Sequence, residues 1–413
     1  MPKKILHIST YDSGGAGLAA LRLHKALLDN GIDSKMLVAD KKSDIETVFV
    51  ATESTINKYN PPQNPIARFI KVCLRKLGIG LERFEKYKES ISKLQQQYPA
   101  FYTYPISSYE LHKHPLVQEA DIIHLHWIEN FVDYETFFPN VGKPIVWTFH
   151  DLNPLYGGFH HVRKREAYYK YYKDVEDNFC RIKEKAIKQC NNLNIVAISN
   201  QMEQLIKGHN LYKDRPITLI HNSIDGTQFT LYDKSIVRDI LKIPNDSKIC
   251  LFVNAYLNDS EKGLDNAILA LEQLNQNNII LICVGDGEIP KCRIKTIHFN
   301  SVRDTVWLSM LYSAADYLLF PSFQEAFAQT PMESLCCGTP VIITPVSGSE
   351  DLINGTNGII SKDFTPECFA ESIVKAFSNA YNSDALRYDV LNRFNPQLTA
   401  DKYISLYNSL TSV

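Results

Sequence analysis

The sequence predicts an α/β protein made of two doubly wound domains, each a parallel sheet covered on both faces by helices. Three observations carry that expectation. Short continuous apolar runs alternate with amphipathic stretches, the pattern of buried parallel strands and crossover helices. The alternation occurs in two series, separated by a loop-rich stretch. The chain of 413 residues is long enough for two or three domains with sizeable cores.

The first series opens with KKILHIST (3–10), an apolar run that ends in small polar residues and reads as a buried strand. DSGGAG follows as a turn. LAALRLHKALLDN (18–30) carries apolar residues at helical spacing, and Gly31 stops it. SKMLVAD (34–40), DIIHLHW (121–127), PIVWTFH (144–150) and NIVAIS (194–199) continue as strands. The second series begins near residue 245 with SKICLFVNAY, NIILICVGD, ADYLLFPS and TPVIITP. Helical stretches at 263–275, 302–314, 330–337 and 366–380 accompany them. PITLIHNSIDGTQF (216–229) reads as the connection between the series, and PQLTADKYISLYNSLTSV as a terminal helix. The expected boundaries are 1–222 for the first domain, 223–394 for the second, and 395–413 for a helix returning to the first.

Composition narrows the function classes. The chain is 45% hydrophobic and 22% charged with a net charge of -2, which suits a folded globular protein and lacks the basic excess of a nucleic-acid binder. Nine cysteines without a Cys-x-x-Cys pair read as free thiols in a reducing compartment. No signal peptide and no run of about 18 apolar residues is visible, so the expected location is the cytoplasm. Residues 66–88, IARFIKVCLRKLGIGLERFEKYK, carry seven bases against two acids among apolar residues. Such a helix can lie on an anionic membrane surface, or pack on its own domain with solvated lysines. The stretch 160–190 has nine bases and five acids and reads more as a solvated helix than as a lipid contact.

In open parallel sheets, ligands bind beyond the carboxyl ends of the strands. Four polar loops fall there. Gly14-Gly15-Ala16-Gly17 follows the first strand; small residues let backbone approach a ligand, although a tight turn explains them equally well. His150-Asp151 follows PIVWTF and offers a group for a substrate hydroxyl, or simply a turn. His124, His126 and Trp127 end a neighbouring strand, at a spacing that matches no standard metal set, so no metal is expected. Lys262-Gly263 precedes a helix; a lysine at that end is unfavourable unless an anion lies between it and the amides. Finally, FPSFQEAFAQTPMESLCCGTP holds Glu325 and Glu333. Thr330, Pro331 and Glu333 fit a capping box, which explains Glu333 structurally, whereas Glu325 sits in a loop with no such explanation.

Taken in order, Gly-Gly after the first strand, His-Asp, Lys-Gly and Glu-x7-Glu resemble a family-4 retaining glycosyltransferase of the GT-B fold, two Rossmann-like domains facing a central cleft. SGGAGLAALRLHKALLDNGIDSKMLV, WTFHD, IHNSID and FPSFQEAFAQTPMESLCCGTPVI each resemble a family segment, so the likeness covers nearly the whole chain. It implies an acceptor-binding first domain and a nucleotide-sugar-binding second one. Gly14 and Gly15 would lie against donor phosphates or acceptor, His150 against the transferred sugar, and Lys262 against the diphosphate. Glu325 would contact sugar hydroxyls, the Phe327 and Ala328 amides the sugar and phosphate, and Glu333 the ribose. The chain departs from the pattern in lacking an arginine about five residues before Lys262, a place Arg303 is suited to fill, and in having Ala326 and Ala328 where glycines are common. The implied function is transfer of a sugar from a nucleotide-diphosphate donor to an acceptor hydroxyl on a glycan or lipid-linked carrier, in surface polysaccharide or lipid-linked glycan assembly. No cofactor or metal is implied. A nucleotide-sugar 2-epimerase and a non-catalytic binding subunit of the same fold are the alternatives.

Overall fold

The computed structural model describes residues 3–51, 83–302 and 304–410. Arg303 and the segment 66–82, the larger part of the basic stretch weighed above for a membrane, lie outside the described residues. Residues 83–88 open the helix Arg83–Gln97. Among the described residues no helix is long and apolar enough to cross a membrane. They fall into two compact units, one within Met1–Ala197, Glu203–Leu219 and Tyr403–Val413, the other within Ile198–Met202 and Ile220–Lys402.

The first unit holds a seven-stranded, all-parallel sheet: β1 (Lys4–Tyr11), β2 (Asp33–Asp40), β3 (Val48–Val50), β4 (Ile122–Leu125), β5 (Ile145–Phe149), β6 (Leu193–Ala197) and β7 (Ile217–Leu219), in the order β3-β2-β1-β4-β5-β6-β7. The central strands are buried along nearly their whole length because helices cover both faces, and they carry a few buried polar residues, His7, His124 and Thr148, among the apolar ones. Ile5, Leu6 and Ile8 are buried, as are Ile145 to Phe149. The register pairs His7 with His124. The helix Gly14–Asp29 starts earlier than its apolar spacing suggests, so the glycines form its first turn. Gly17 is the one that packing requires: a Cβ there would sit 2.7 Å from the Tyr11 carbonyl oxygen.

The second unit is a six-stranded parallel sheet: β8 (Lys248–Tyr256), β9 (Ile279–Asp286), β10 (Lys295–Phe299), β11 (Tyr317–Phe320), β12 (Val341–Ile343) and β13 (Gly358–Ile360), in the order β10-β9-β8-β11-β12-β13. Its core forms two layers, as the pleat dictates. Ile249 and Leu251 pack on one face with Met332 and Leu335; Cys250 and Phe252 pack on the other with Ala267 and Leu271.

The sequence reading finds every inner strand and omits β3, β7, β10 and β13, which are the four sheet edges. Edge strands bury one side less and are short here, three to five residues, with half-exposed positions. β7 lies inside the stretch 216–229 read as a connection. The terminal helix is Pro396–Leu410. Its Tyr403 and Tyr407 belong to the first unit, where their hydroxyls meet Thr148 at 2.8 Å and His124 at 2.6 Å.

Candidate functional site

Each sheet has a switch point, where strand order reverses and adjacent loops diverge to opposite faces. In the first it lies between β1 and β4, in the second between β8 and β11. The described residues singled out in the sequence lie in the loops and helix starts at or beside these two places.

At the second switch point, the loop after β8 carries Lys262 and the loop after β11 carries Glu325. Lys262 Nζ donates to Glu325 Oε1 at 2.7 Å. Two backbone features bring them together. The Phe323 amide donates to the Glu261 carbonyl at 2.9 Å, tying loop to loop. Gly263 has φ 73°, and a Cβ there would lie 2.2 Å from the Pro321 carbonyl oxygen. Only glycine permits that crossing. Burial opposes the charge on Lys262, but Glu325, Asp259 and Glu261 outweigh it and raise its pKa. The lysine is therefore a fixed cation at neutral pH.

Beside this pair begins the helix Gln329–Cys336. Its N-cap is Ala328, which makes no side-chain cap, so the expected capping box from Thr330 to Glu333 does not form. Starting two residues early places Thr330 and Glu333 inside the helix. Glu333 instead accepts a hydrogen bond from the buried Tyr312 hydroxyl at 2.9 Å. Ala328 offers no side-chain acceptor at the cap position, and Pro331 has no N–H, so the Gln329 and Thr330 amides stand at the partial positive end of the helix. The Phe327 ring is buried against His221 and Phe394, at centroid distances of 5.2 and 5.6 Å. Sequence reasoning missed the anchor of His221, whose Nε2 meets Asp351 Oδ1 at 2.8 Å. Its only signal was the segment IHNSID.

At the first switch point, histidines line up. His7 Nδ1 meets His126 Nε2 at 2.8 Å, and His126 Nδ1 meets His150 Nε2 at 3.0 Å. Each contact needs one proton, so the row has two polarities. One leaves the buried His7 Nε2 as a bare lone pair; the other leaves it an N–H without a partner. Orphaned buried N–H groups are the rarer and costlier defect. The first polarity therefore holds, and His150 accepts at Nε2 and carries its proton on Nδ1. Burial drives the pKa of His7, His124 and His126 well below the usual value, and that of His150 down to about 4. All are neutral at pH 7. One ring nitrogen from each of His7, His124 and His126 lies within 4.8 Å of the other two. His124 uses both of its own on Tyr407 and Thr148, however, so the group fits a hydrogen-bonded core better than a tetrahedral metal.

Asp151 organises the loops next to His150. Its Oδ2 accepts from Trp127 Nε1 at 2.8 Å and meets His160 Nδ1 at 2.7 Å, and its Oδ1 accepts the Asn153 amide at 2.8 Å. Burial opposes the carboxylate, but His160 first, then Asn153 and Trp127, hold its pKa down to about 2. The helix Val162–Lys188 is more than the solvated helix its charges suggest. Its Glu176 is buried and accepts the Gly157 and Gly158 amides at 3.0 and 2.8 Å, and Lys183 is buried against Asn153. Gly14 and Gly15 are exposed at the start of their helix, and a Cβ on either would meet nothing within 4 Å.

The model of Glycosyltransferase Family 4 matches residues 13–228, over half of the chain. The chain belongs to glycosyltransferase family 4. The Glycosyl transferases group 1 model matches residues 247–379. Among curated relatives, the uncharacterized glycosyltransferase MJ1069 of Methanocaldococcus jannaschii is 25% identical over 53% of this chain and 59% of its own length. The capsular polysaccharide biosynthesis glycosyltransferase CapM of Staphylococcus aureus is 24% identical over 52% and 61%. The chain thus spans about three-fifths of these relatives' lengths. Among solved structures, Anabaena HepE in complex with UDP and glucose superposes with a TM-score of 0.63, at 16% identity, over 98% of this chain and 100% of that one. That likeness is one of fold: two Rossmann-like parallel-sheet domains, the GT-B architecture.

Proposed function

We propose that this family-4 protein transfers a glycosyl group, with retention, from a nucleoside-diphosphate sugar to an acceptor hydroxyl. One observation carries the reading: Lys262 and Glu325 meet at 2.7 Å at a switch point, beside a helix start with no side-chain cap. Breaking the sugar–phosphate bond puts negative charge on the departing diphosphate. Lys262 and the amides at the head of Gln329–Cys336 form a preorganised field for that charge. Glu325, held by Lys262, orients toward sugar hydroxyls, and Glu333, held by Tyr312, is left to take a ribose diol.

His150 is assigned to the transferred sugar. The neutral ring with its proton on Nδ1 donates a hydrogen bond without adding a cation. No protein base is assigned. A phosphate oxygen of the leaving group takes the acceptor's proton as the acceptor attacks from the same face, which accounts for retention. HepE, solved with UDP and glucose, supports a uridine-diphosphate sugar as the first donor to try, and the printed role of CapM supports surface polysaccharide as the pathway class. A lipid-linked acceptor gives the basic segment 66–88 a role at an anionic membrane; failure of anionic liposomes to retain the protein at low salt would remove it.

The deciding experiment is donor cleavage across UDP-, GDP- and ADP-sugars by the unaltered protein, Lys262→Ala and Glu325→Ala. Both variants are expected to lose activity on one donor. Equal rates in all three proteins overturn the site, and release of an epimerised nucleotide sugar without acceptor overturns the reaction.

A further inference from the structure

We propose that His126 is a positioning residue: it fixes the tautomer of His150, so that the outer ring nitrogen of His150 is always a hydrogen-bond donor. That this donor serves the transferred sugar rests on the proposed function; the tautomer does not.

The three rings of the histidine row come from three adjacent strands of the first sheet. His7 is inside β1, His126 directly follows β4 and His150 directly follows β5. Burial falls along the row: His7 is 0% and His126 3% exposed, whereas His150 is half-exposed. The backbone of His126 is tied to both neighbouring strands. Its amide donates to the Ile8 carbonyl at 2.9 Å, and its carbonyl accepts from Trp147 Nε1 at 3.1 Å.

The two ends of the row differ, and the difference sets its direction. Two further rings lie beside His7, those of His24 and His124, with centroids 5.8 and 5.0 Å away. Both are committed elsewhere, His24 to the Ser34 and Thr47 hydroxyls at 2.7 and 2.8 Å, His124 to Tyr407 and Thr148. Neither serves His7 Nε2, which has no partner among the described residues. At the other end, His150 Nδ1 meets no protein group among the described residues, and solvent satisfies it as donor or as acceptor alike. The choice of direction is therefore made at His7, where a bare lone pair costs less than an orphaned N–H. His126 transmits that choice. Its Nε2 takes the His7 proton, so its own proton sits on Nδ1 and is donated to His150 Nε2. This runs against the intrinsic preference of the ring, since a free neutral histidine side chain carries its proton mainly on Nε2. A preset donor pairs with a ligand oxygen that accepts, and leaves a group that only donates without a partner.

Nitrogen-15 NMR of the full chain with labelled histidine reads the tautomers at pH 7.5, with His150→Gln to assign the signal. In the unaltered protein His126 and His150 should both be protonated on Nδ1. In His126→Asn the shorter amide can donate to His150 or accept from it and is too short to bridge to His7, so His150 should become a mixture with Nε2–H. Its kcat for donor cleavage should fall about tenfold with KM nearly unchanged, the scale of one neutral hydrogen bond made in the transition state. A purely structural role would lower the melting temperature and leave the tautomer alone. His7→Leu moves the bare buried nitrogen one ring along and should keep the His150 tautomer. His150 protonated on Nε2 in the unaltered protein, a tautomer unchanged in His126→Asn or changed in His7→Leu, or a kcat unchanged once the tautomer has shifted overturns the role. If His126→Asn does not fold, the other two proteins still decide, because a row of opposite direction shows Nε2–H in both. Absence of donor cleavage by the unaltered protein counts against the proposed function alone, so the two fail separately.

Discussion

At the first switch point, Tyr11, Trp127 and His150 lie near two carboxylates, the buried Asp12 and the partly exposed Asp151, and burial keeps His7, His124, His126 and His150 neutral. At the second, Lys262 and Glu325 form one ion pair beside the uncapped start of the helix Gln329–Cys336. The sheets share parallel topology and place these groups at equivalent addresses, beyond the strand ends where order reverses. Topology thus supplies the address, and side chains supply the chemistry: ring faces and neutral imidazoles in one unit, a lysine–carboxylate ion pair in the other. The glycosyl transfer proposed above, from a charged leaving group to a hydroxyl, would use that division.

The contrast breaks most sharply at Lys262. Replacing it with alanine should slow donor cleavage by on the order of 10²- to 10³-fold, the scale of removing one preorganised electrostatic contact, with an unchanged melting temperature. Release of nucleoside diphosphate measures it. If the second unit works through something other than positive potential, the rate holds.

Acid should separate the units next. His7, His24, His124, His126 and His150 all have folded pKa values depressed by burial. An unfolded histidine titrates near 6.5, so below that pH the unfolded chain binds more protons than the folded one. The stability these groups contribute is complete above about 6.5 and drains away as pH falls toward about 4. The second unit holds just two of the chain's twelve histidines, His221 and His298. Hydrogen exchange at pH 5 against pH 7.5 should therefore show the first sheet loosening while the second keeps its protection.

Smaller effects sharpen the picture. Gly263→Ala forces a left-handed residue and a clash with Pro321, and should destabilise the second unit by about 1–3 kcal/mol, read by denaturant unfolding, with donor affinity falling as Lys262 shifts. Asp151→Asn keeps the shape but weakens the bonds to Trp127 and His160; about 1–2 kcal/mol should be lost from the first unit only, with altered tryptophan emission. Glu333→Gln should cost least, under about 1 kcal/mol, because the amide oxygen still accepts from Tyr312, while nucleotide affinity drops.

How far the sequence discloses this depends on where each contact comes from. The inner strands are legible because burial on both faces demands unbroken apolar runs such as ILHIS and IVWTF. The four edge strands are not, because half-exposed segments such as KTIHF carry no such demand. Lys262 and Glu325 stand out locally, each at a loop with a charge lacking a structural reason, and the fold brings them together. Glu333 misleads: its spacing from Thr330 fits a cap, yet the helix begins at Gln329, and tertiary contact with Tyr312 decides its role. The cluster of Phe101, Trp127, Asp151 and His160 draws on loops spread over about sixty residues of sequence, and no local pattern marks it.

The last helix has a consequence for how the protein is made. Inside the first sheet, His124 and Thr148 are satisfied by Tyr407 and Tyr403, side chains more than 250 residues downstream. Until those tyrosines leave the ribosome, the first sheet holds a polar core with missing partners. The unit translated first is then the one completed last, and the stretch between them is synthesised while it waits.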